Sequence, residues 1–413
     1  MSGSHRGRVL AIVCAIGFLN FLDRMILAAM MPAIRSEFSL ADAQLGLLST
    51  MFGIVYAIAG LPLGRATDRF ARNRLISIAA ALWSLATAAC GLASSFGALL
   101  LARMGVAFGE AAFVPAAFST LSDLFAPNRR YLATSALIVA MSLGTLAGLT
   151  AGGALADAYG WRTAFFLAGL PGLVLAVLGW FILREPARGA HDTRADGEPV
   201  GLRDTLAALA RNRPFLWLIL TNGLNGFSAV GIVQWLPSHF ARTFSVSLGQ
   251  IGFAFGLAFG IGTCVGQLIG GLAAARLARR GTATPLLLCV GSNALIVPGF
   301  AAVLLVGGMT TASLLTFVTT VIAATGQVAQ NTGVQNAVLA RQRGVAQALA
   351  GLSVAVMGMG VGPLLVGALS DHLAVMSDPA TALRQALLCS QAFFVLASFT
   401  AWRAYRASKA LEG

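Results

Sequence analysis

Charge is what this chain has least of. Asp, Glu, Lys and Arg make up 10% of its 413 residues, while hydrophobic residues make up 57% and the mean hydropathy is +0.81. A soluble chain carries about 25% charge, so a soluble globular domain is excluded. Cysteine is equally sparse. The five thiols, Cys14, Cys90, Cys264, Cys289 and Cys389, sit in apolar runs at no motif spacing, which argues against a disulfide framework or a thiolate metal site. The four histidines include no pair at ligand spacing, so neither a metal nor a cofactor is expected. GxxxxGK[ST] is missing, as is any polar stretch large enough to bind nucleotide, which disfavours an ATP-driven pump. Nothing supports enzymatic chemistry.

Long apolar runs fill the space that these absences leave. They cover 9–34, 43–64, 75–95, 97–121, 131–156, 163–183, 214–238, 247–274, 283–306, 309–338, 345–369 and 382–404. Each is near the ~20 residues that cross a hydrocarbon core as a helix. Backbone polar groups in lipid must be satisfied within the segment, so the runs predict helices. The fold class expected is an all-α integral membrane protein of twelve transmembrane helices in two pseudo-symmetric six-helix bundles. Residues 1–183 form the first bundle and 214–413 the second. The polar stretch 184–213 joins them and carries an amphipathic helix (Leu202, Leu206, Leu209) suited to a membrane surface.

A net charge of +13 could point to nucleic acid, but its placement does not. Of 28 basic residues, 22 fall in the termini and the even-to-odd loops, among them Arg65, Arg69, Arg72, Arg74, Arg129 and Arg130. That bias predicts a cell-membrane protein with both termini in the cytoplasm and no nucleic-acid partner. The first run is too long for a signal peptide and reads as a retained span.

Only four charged residues lie deep in the runs: Asp23 and Arg24 in span 1, Arg103 and Glu110 in span 4. Seven residues separate Arg103 from Glu110, almost two helical turns, so both face one way. A charge at membrane depth costs at least ~2.5 kcal/mol and survives facing a bundle interior or a wet cavity.

Internal repetition gives this cluster a context. Residues 144–157 (GTLAGLTAGGALAD) align with 358–371 (GMGVGPLLVGALSD), closing on Asp157 and Asp371. A six-plus-six parallel repeat is the plan of secondary transporters, with a site near the midplane. Aligning Asn20 with Asn222 puts Asn225 at the Asp23 position. Aligning Gly109 with Gly326 puts Gln327 at the Glu110 position and Thr320 at the Arg103 position. Amides keep hydrogen-bonding capacity without ionising. The first half therefore carries charge chemistry, and the second offers neutral recognition. Burial and a neighbouring guanidinium act in opposite senses on a carboxylate. Asp23 or Glu110 would change its proton affinity on changing arginine partner, which would couple a proton gradient to movement. Asn20, Phe108, Phe113 and Asn331 complete the cavity candidates. Gly144, Gly148, Gly152 and Gly153 read as a packing stripe.

After span 2 comes Gly64-Arg-Ala-Thr-Asp68-Arg69-Phe-Ala-Arg72-Asn-Arg74. Gly64 there permits close helix contact, and Asp68 can pair with Arg72 or meet a helix N-terminus. This loop resembles the signature loop of the major facilitator superfamily, except at Ala71, where the family has glycine. Asn20-Phe-Leu-Asp23-Arg24, Arg103-x5-Gly109-Glu110-Ala111, Ser122-Asp123-Leu-Phe125, Arg184-Glu-Pro-Ala-Arg-Gly189 and Arg343-Gly344-Val-Ala-Gln-Ala348 extend the likeness to the Spinster lipid-transporter family. The resemblance implies alternating access and an amphipathic, lipid-like substrate such as a sphingoid phosphate or lysophospholipid. It makes Asp23 and Glu110 protonation sites, and Arg24 and Arg103 their partners or the anchor of an anionic head group. Gly64, Asp68, Arg69, Arg72, Asp123 and Arg130 become the conformational loop set. The chain's compactness fits a bacterial-type member that works as a monomer, with protons, the bilayer and a small anionic or amphipathic substrate as partners. Two other readings stay open: a proton-coupled symporter of small organic acids, and a membrane sensor that moves nothing.

Overall fold

The computed structural model describes residues 3–125, 127–185, 202–244, 246–339 and 342–412. No strand occurs among them. The helices are α1 (Gly3–Phe38), α2 (Asp42–Arg69), α3 (Arg72–Gly91), α4 (Phe96–Glu110), α5 (Phe113–Leu124), α6 (Pro127–Ile182), α7 (Leu202–Arg211) and α8 (Arg213–Phe244). Then follow α9 (Leu248–Ala278), α10 (Leu286–Leu305), α11 (Met309–Asn336) and α12 (Arg343–Val354). A π-helical segment (Ala355–Val361) runs into α13 (Gly362–Leu373), before α14 (Pro379–Ser390) and α15 (Ala392–Lys409).

Eleven helical stretches among the described residues are long and apolar enough to cross a membrane. One of them, α6, is two spans. A straight helix of its 56 residues would run about 84 Å, nearly three times the ~30 Å hydrocarbon core. Gly160 breaks it with φ 79° and ψ 157°, a conformation open to glycine because it has no Cβ. The remaining bounds agree with the apolar runs to within a few residues. Large apolar side chains such as Leu132, Phe181 and Leu268 are exposed, as expected of faces that meet lipid.

Three spans are interrupted, two of them close to a proline. Pro115 has no amide to give the carbonyl of Ala111, and the fourth span parts there into α4 and α5. The break falls directly after Glu110. Pro363 likewise cannot donate to Met359, and the π-helical segment precedes it. The third interruption, between α14 and α15 at Gln391, has no proline; we have no physical account of it.

The chain divides into two compact units. Unit 1 comprises Met1–Leu40, Met51–Gly197 and Val246–Gly256; unit 2 comprises Ala41–Thr50, Glu198–Ser245 and Leu257–Gly413. In unit 1, α1 and α3 pack on α6. Cβ atoms at Gly144, Gly148 and Gly152 would meet Phe18, Leu22 and Ile26 of α1 in turn. Both sets step by four, so the glycine stripe is a close-packed helix–helix face. In unit 2, α8 and α10 pack on α15, and α10 on α11. The amphipathic α7 docks through Leu209 onto a core of Phe215, Leu218, Leu286, Val334, Ala346 and Ala404. The linker residues 186–201 lie outside the described residues.

Candidate functional site

Unit 1 gathers the four deep charges. Asn20, Asp23 and Arg24 share one side of α1, at spacings of three and four residues. Arg103 and Glu110 reach them from α4. The Arg24 guanidinium donates through Nε to Glu110 Oε2 at 2.6 Å, and both groups are buried. Asp23 takes a different partner: its Oδ2 accepts the Thr87 hydroxyl at 3.1 Å. Arg103 Nη1 donates to the main-chain carbonyl of Asp23 at 3.3 Å. The pairing is therefore crossed between spans 1 and 4.

Aromatic rings surround the guanidiniums. The Arg24 guanidinium carbon lies 4.5 Å from the Tyr56 centroid, 5.0 Å from Phe21 and 5.6 Å from Phe52. That of Arg103 lies 4.9 Å from the same Phe52 ring. Cation–π contact stabilises each charge where water does not. Trp83 and Phe113 meet edge-to-face at 5.8 Å beside the cluster. Phe113 is fully buried, whereas Phe108 is exposed.

Several polar atoms of the cluster have no hydrogen-bond partner among the described residues. They are Asp23 Oδ1, Arg24 Nη2, Arg103 Nε, Glu110 Oε1 and both amide atoms of Asn20, which is 0% exposed. Buried polar atoms in native proteins are overwhelmingly satisfied. Here they gather in one place, on α1 and α4 of unit 1.

Unit 2 holds a neutral counterpart. Gln330 donates to Asn222 Oδ1 at 2.6 Å and accepts from Asn225 at 2.7 Å. Asn222 also donates to the Ala350 carbonyl at 2.8 Å. The amide network of Asn222 and Asn225 thus closes on Gln330. Gln327 and Asn331 are exposed. Thr320 is buried with its hydroxyl unpartnered. Glycine contacts agree with the alignment of Gly109 to Gly326: a Cβ at Gly109 would meet Trp83 on α3, and one at Gly326 would meet Ser292 on α10.

The loop set forms a second ionic centre in unit 1. Arg72 is 2% exposed. It donates to Asp123 at 2.6 Å, to Glu185 at 2.9 Å and to the Ser119 hydroxyl at 2.7 Å. Arg130 donates to the Ser122 carbonyl at 2.8 Å. Arg69 is exposed. The side chain of Asp68 lies outside the described residues. A Cβ at Gly64 would meet nothing within 4 Å among the described residues. Its carbonyl accepts the Thr67 hydroxyl at 2.6 Å.

Sequence reasoning passed over Phe52, Tyr56 and Thr87. Their signal is faint: an aromatic pair at i, i+4 on span 2, and a threonine facing span 1. The break after Glu110 was signalled by Pro115.

Comparison with known proteins shows the family. The family model described as Major Facilitator Superfamily matches residues 13–363. An MFS-type efflux pump of Mycolicibacterium smegmatis is 29% identical over 88% of this chain and 84% of its own length. Protein spinster homolog 1 of Homo sapiens is 31% identical over 60% of this chain. That match covers 48% of the human protein, so the chain spans about half the length of this relative. The crystal structure of a bacterial homolog to the human lysosomal transporter Spinster, inward-facing and unoccupied, superposes with a TM-score of 0.90 at 26% identity, covering 99% of this chain and 98% of that one. With twelve spans, a deep charged cluster in unit 1 and an amide network in unit 2, the chain belongs to the major facilitator superfamily of membrane transporters and resembles its Spinster type.

Proposed function

We propose that the chain is a proton-coupled secondary active transporter that moves an amphipathic, anionic or lipid-like substrate by alternating access. The observation that carries this reading is the crossed cluster of Asp23, Arg24, Arg103 and Glu110 with its unpartnered buried atoms. Glu110 and Asp23 serve as the proton-accepting groups. Arg24 and Arg103 remain charged at any accessible pH; each keeps an N–H free for a carboxylate or phosphate, beside aromatic rings that suit an apolar tail. Asn20, Phe113, Asn222, Asn225 and Thr320 supply neutral contacts. Two six-helix halves, 1–183 and 214–413, work on either side of the linker, and the basic bias puts both termini in the cytoplasm.

Proteoliposomes under an imposed pH gradient test the reading, with a lysophospholipid and a sugar acid as competing substrates. Glu110→Gln should abolish pH-driven flux while the folded protein still binds substrate. Normal proton coupling in that variant ends the proposal. Likeness to a named efflux pump favours export, which the same vesicles read as flux toward the face opposite the termini.

A further inference from the structure

The surface of unit 2 carries an open-sided groove of about 390 Å³ between α10 and α15. Short side chains make its depth: Ala294 and Pro298 on α10, Ser398 on α15. The Ser398 hydroxyl donates to the Val290 carbonyl at 2.9 Å, which ties the two helices and removes the only side-chain polar group from the floor. Val395, Phe399 and Trp402 form the wall, half exposed or nearly so. The volume falls within the range of small-ligand sites, yet an apolar trough facing hydrocarbon selects nothing by itself.

Selectivity comes from one end. Trp402 closes the groove, and the Arg406 guanidinium lies 5.4 Å from its ring centroid. The Arg403 guanidinium lies 6.0 Å from Phe399 and 5.0 Å from Trp217 of α8. These contacts hold the Arg406 guanidinium against a ring of the groove and that of Arg403 near both Phe399 of the wall and Trp217 outside it. Both arginines are exposed, and among the described residues neither has a carboxylate within ion-pair distance. Tryptophan and tyrosine mark the level where hydrocarbon meets head groups, and basic pockets between spans at that level take anionic lipid head groups.

We propose that this groove binds an anionic phospholipid of the surrounding bilayer. One acyl chain lies over Ala294, Pro298 and Ser398, and the phosphate meets Arg403 and Arg406. The site is independent of the charged cluster in unit 1 and does not require that cluster to couple protons.

Titration of the full-length protein in neutral detergent tests it, read by native mass spectrometry and thermal unfolding. The probes are phosphatidylglycerol, phosphatidylcholine and glycerol 3-phosphate. Phosphatidylglycerol should bind about 30-fold more tightly than phosphatidylcholine, the preference that two basic side chains confer at an anionic head group. Joint Arg403→Gln and Arg406→Gln substitution should erase that preference and leave phosphatidylcholine retention as it was. Ala294→Phe, which fills the trough, should weaken both lipids with the arginines intact. Equal retention of the two lipids by the unaltered protein overturns the proposal, as does a preference that survives both changes. Equal stabilisation by glycerol 3-phosphate also overturns it, since that marks a site for soluble anions.

Discussion

Asp157 and Asp371 close the two copies of one sequence motif, and each accepts two consecutive main-chain amides at the start of another helix. Asp157 takes those of Leu248 and Gly249, at 3.1 and 2.6 Å, where α9 begins. Asp371 takes those of Asp42 and Ala43, at 2.8 and 2.7 Å, where α2 begins. The likeness continues in the glycines. Cβ atoms at Gly153 and Gly367 would strike the carbonyls of Leu248 and Asp42; those at Gly252 and Gly46 would strike the carbonyls of Leu149 and Pro363. Asp42 in turn accepts Arg242 through both carboxylate oxygens and the Ser370 hydroxyl at 2.7 Å.

These carboxylates satisfy amides that a helix start leaves open and place negative charge at its positive end. Asp371→Ala and Asp157→Ala should each lower stability by roughly 1–2 kcal/mol. The double variant should lose the sum, because the two caps share no partner. Asn at either position keeps an acceptor without the charge and should fall between. Thermal unfolding in detergent measures all three; a double variant no worse than a single one would mean the caps are not independent.

The glycine face of α6 gives a sharper contrast. A Cβ at Gly148 would lie 2.5 Å from the Leu22 carbonyl and 2.8 Å from the Met25 side chain. Gly148→Leu should therefore prevent α1 from seating, and little monodisperse protein should be recovered by size-exclusion chromatography. Gly271→Ala, where nothing lies within 4 Å, should match the parent or gain roughly 0.5–1 kcal/mol from lowered chain entropy.

Phe52 stands beside both guanidiniums, 5.6 Å from that of Arg24 and 4.9 Å from that of Arg103. Phe52→Leu keeps apolar bulk and removes the ring face, so stability should fall by roughly 1–3 kcal/mol. Phe52→Tyr keeps the face and should come close to the parent. Paired thermal-shift measurements decide; equal loss in the two variants would assign Phe52 to packing alone.

Asp378 offers a pH test outside the spans. Hydrogen bonds from Thr381 and then Ala380 hold its carboxyl below the usual range. A depressed folded value means the contribution is complete above the ordinary pKa near ~3.9 and fades as pH falls through the lower one. The Tm gap between the parent and Asp378→Ala should stay constant from neutral pH down to about 5 and shrink below about 4.

The spans were legible because hydrocarbon thickness sets a length that apolar runs must meet. The packing stripe was legible too, as four-residue steps survive in any helix. The deep charges stood out by cost: no other charged residue lies deep in a run. Partner choice was hidden. That Glu110 holds Arg24 while Arg103 reaches the Asp23 carbonyl depends on how α1 and α4 are rotated, and spacing within one helix cannot supply that. Asp157 and Asp371 were visible as identical letters, but main-chain amides carry no side-chain signature, so their targets were not. The alignment puts Gln327 at the Glu110 position, whereas the hydrogen bonds of Asn222 and Asn225 close on Gln330, nearly one turn later.

The widened turn at Ala355–Val361 sets the phase of everything after it. Each residue of an α-helix advances the direction of its side chains by about 100°. Forcing this segment into ordinary α-helical winding with all seven of its residues kept would swing Asp371 about a quarter-turn off the Asp42 and Ala43 amides. The π-helical segment lies before Asp371, whereas the matching stretch before Asp157 is uninterrupted α-helix from Pro127 to Gly160. The two halves therefore reach the same cap through different winding, and a chimera that transplanted residues 144–157 onto 358–371 would keep every letter of the cap and still misdirect it.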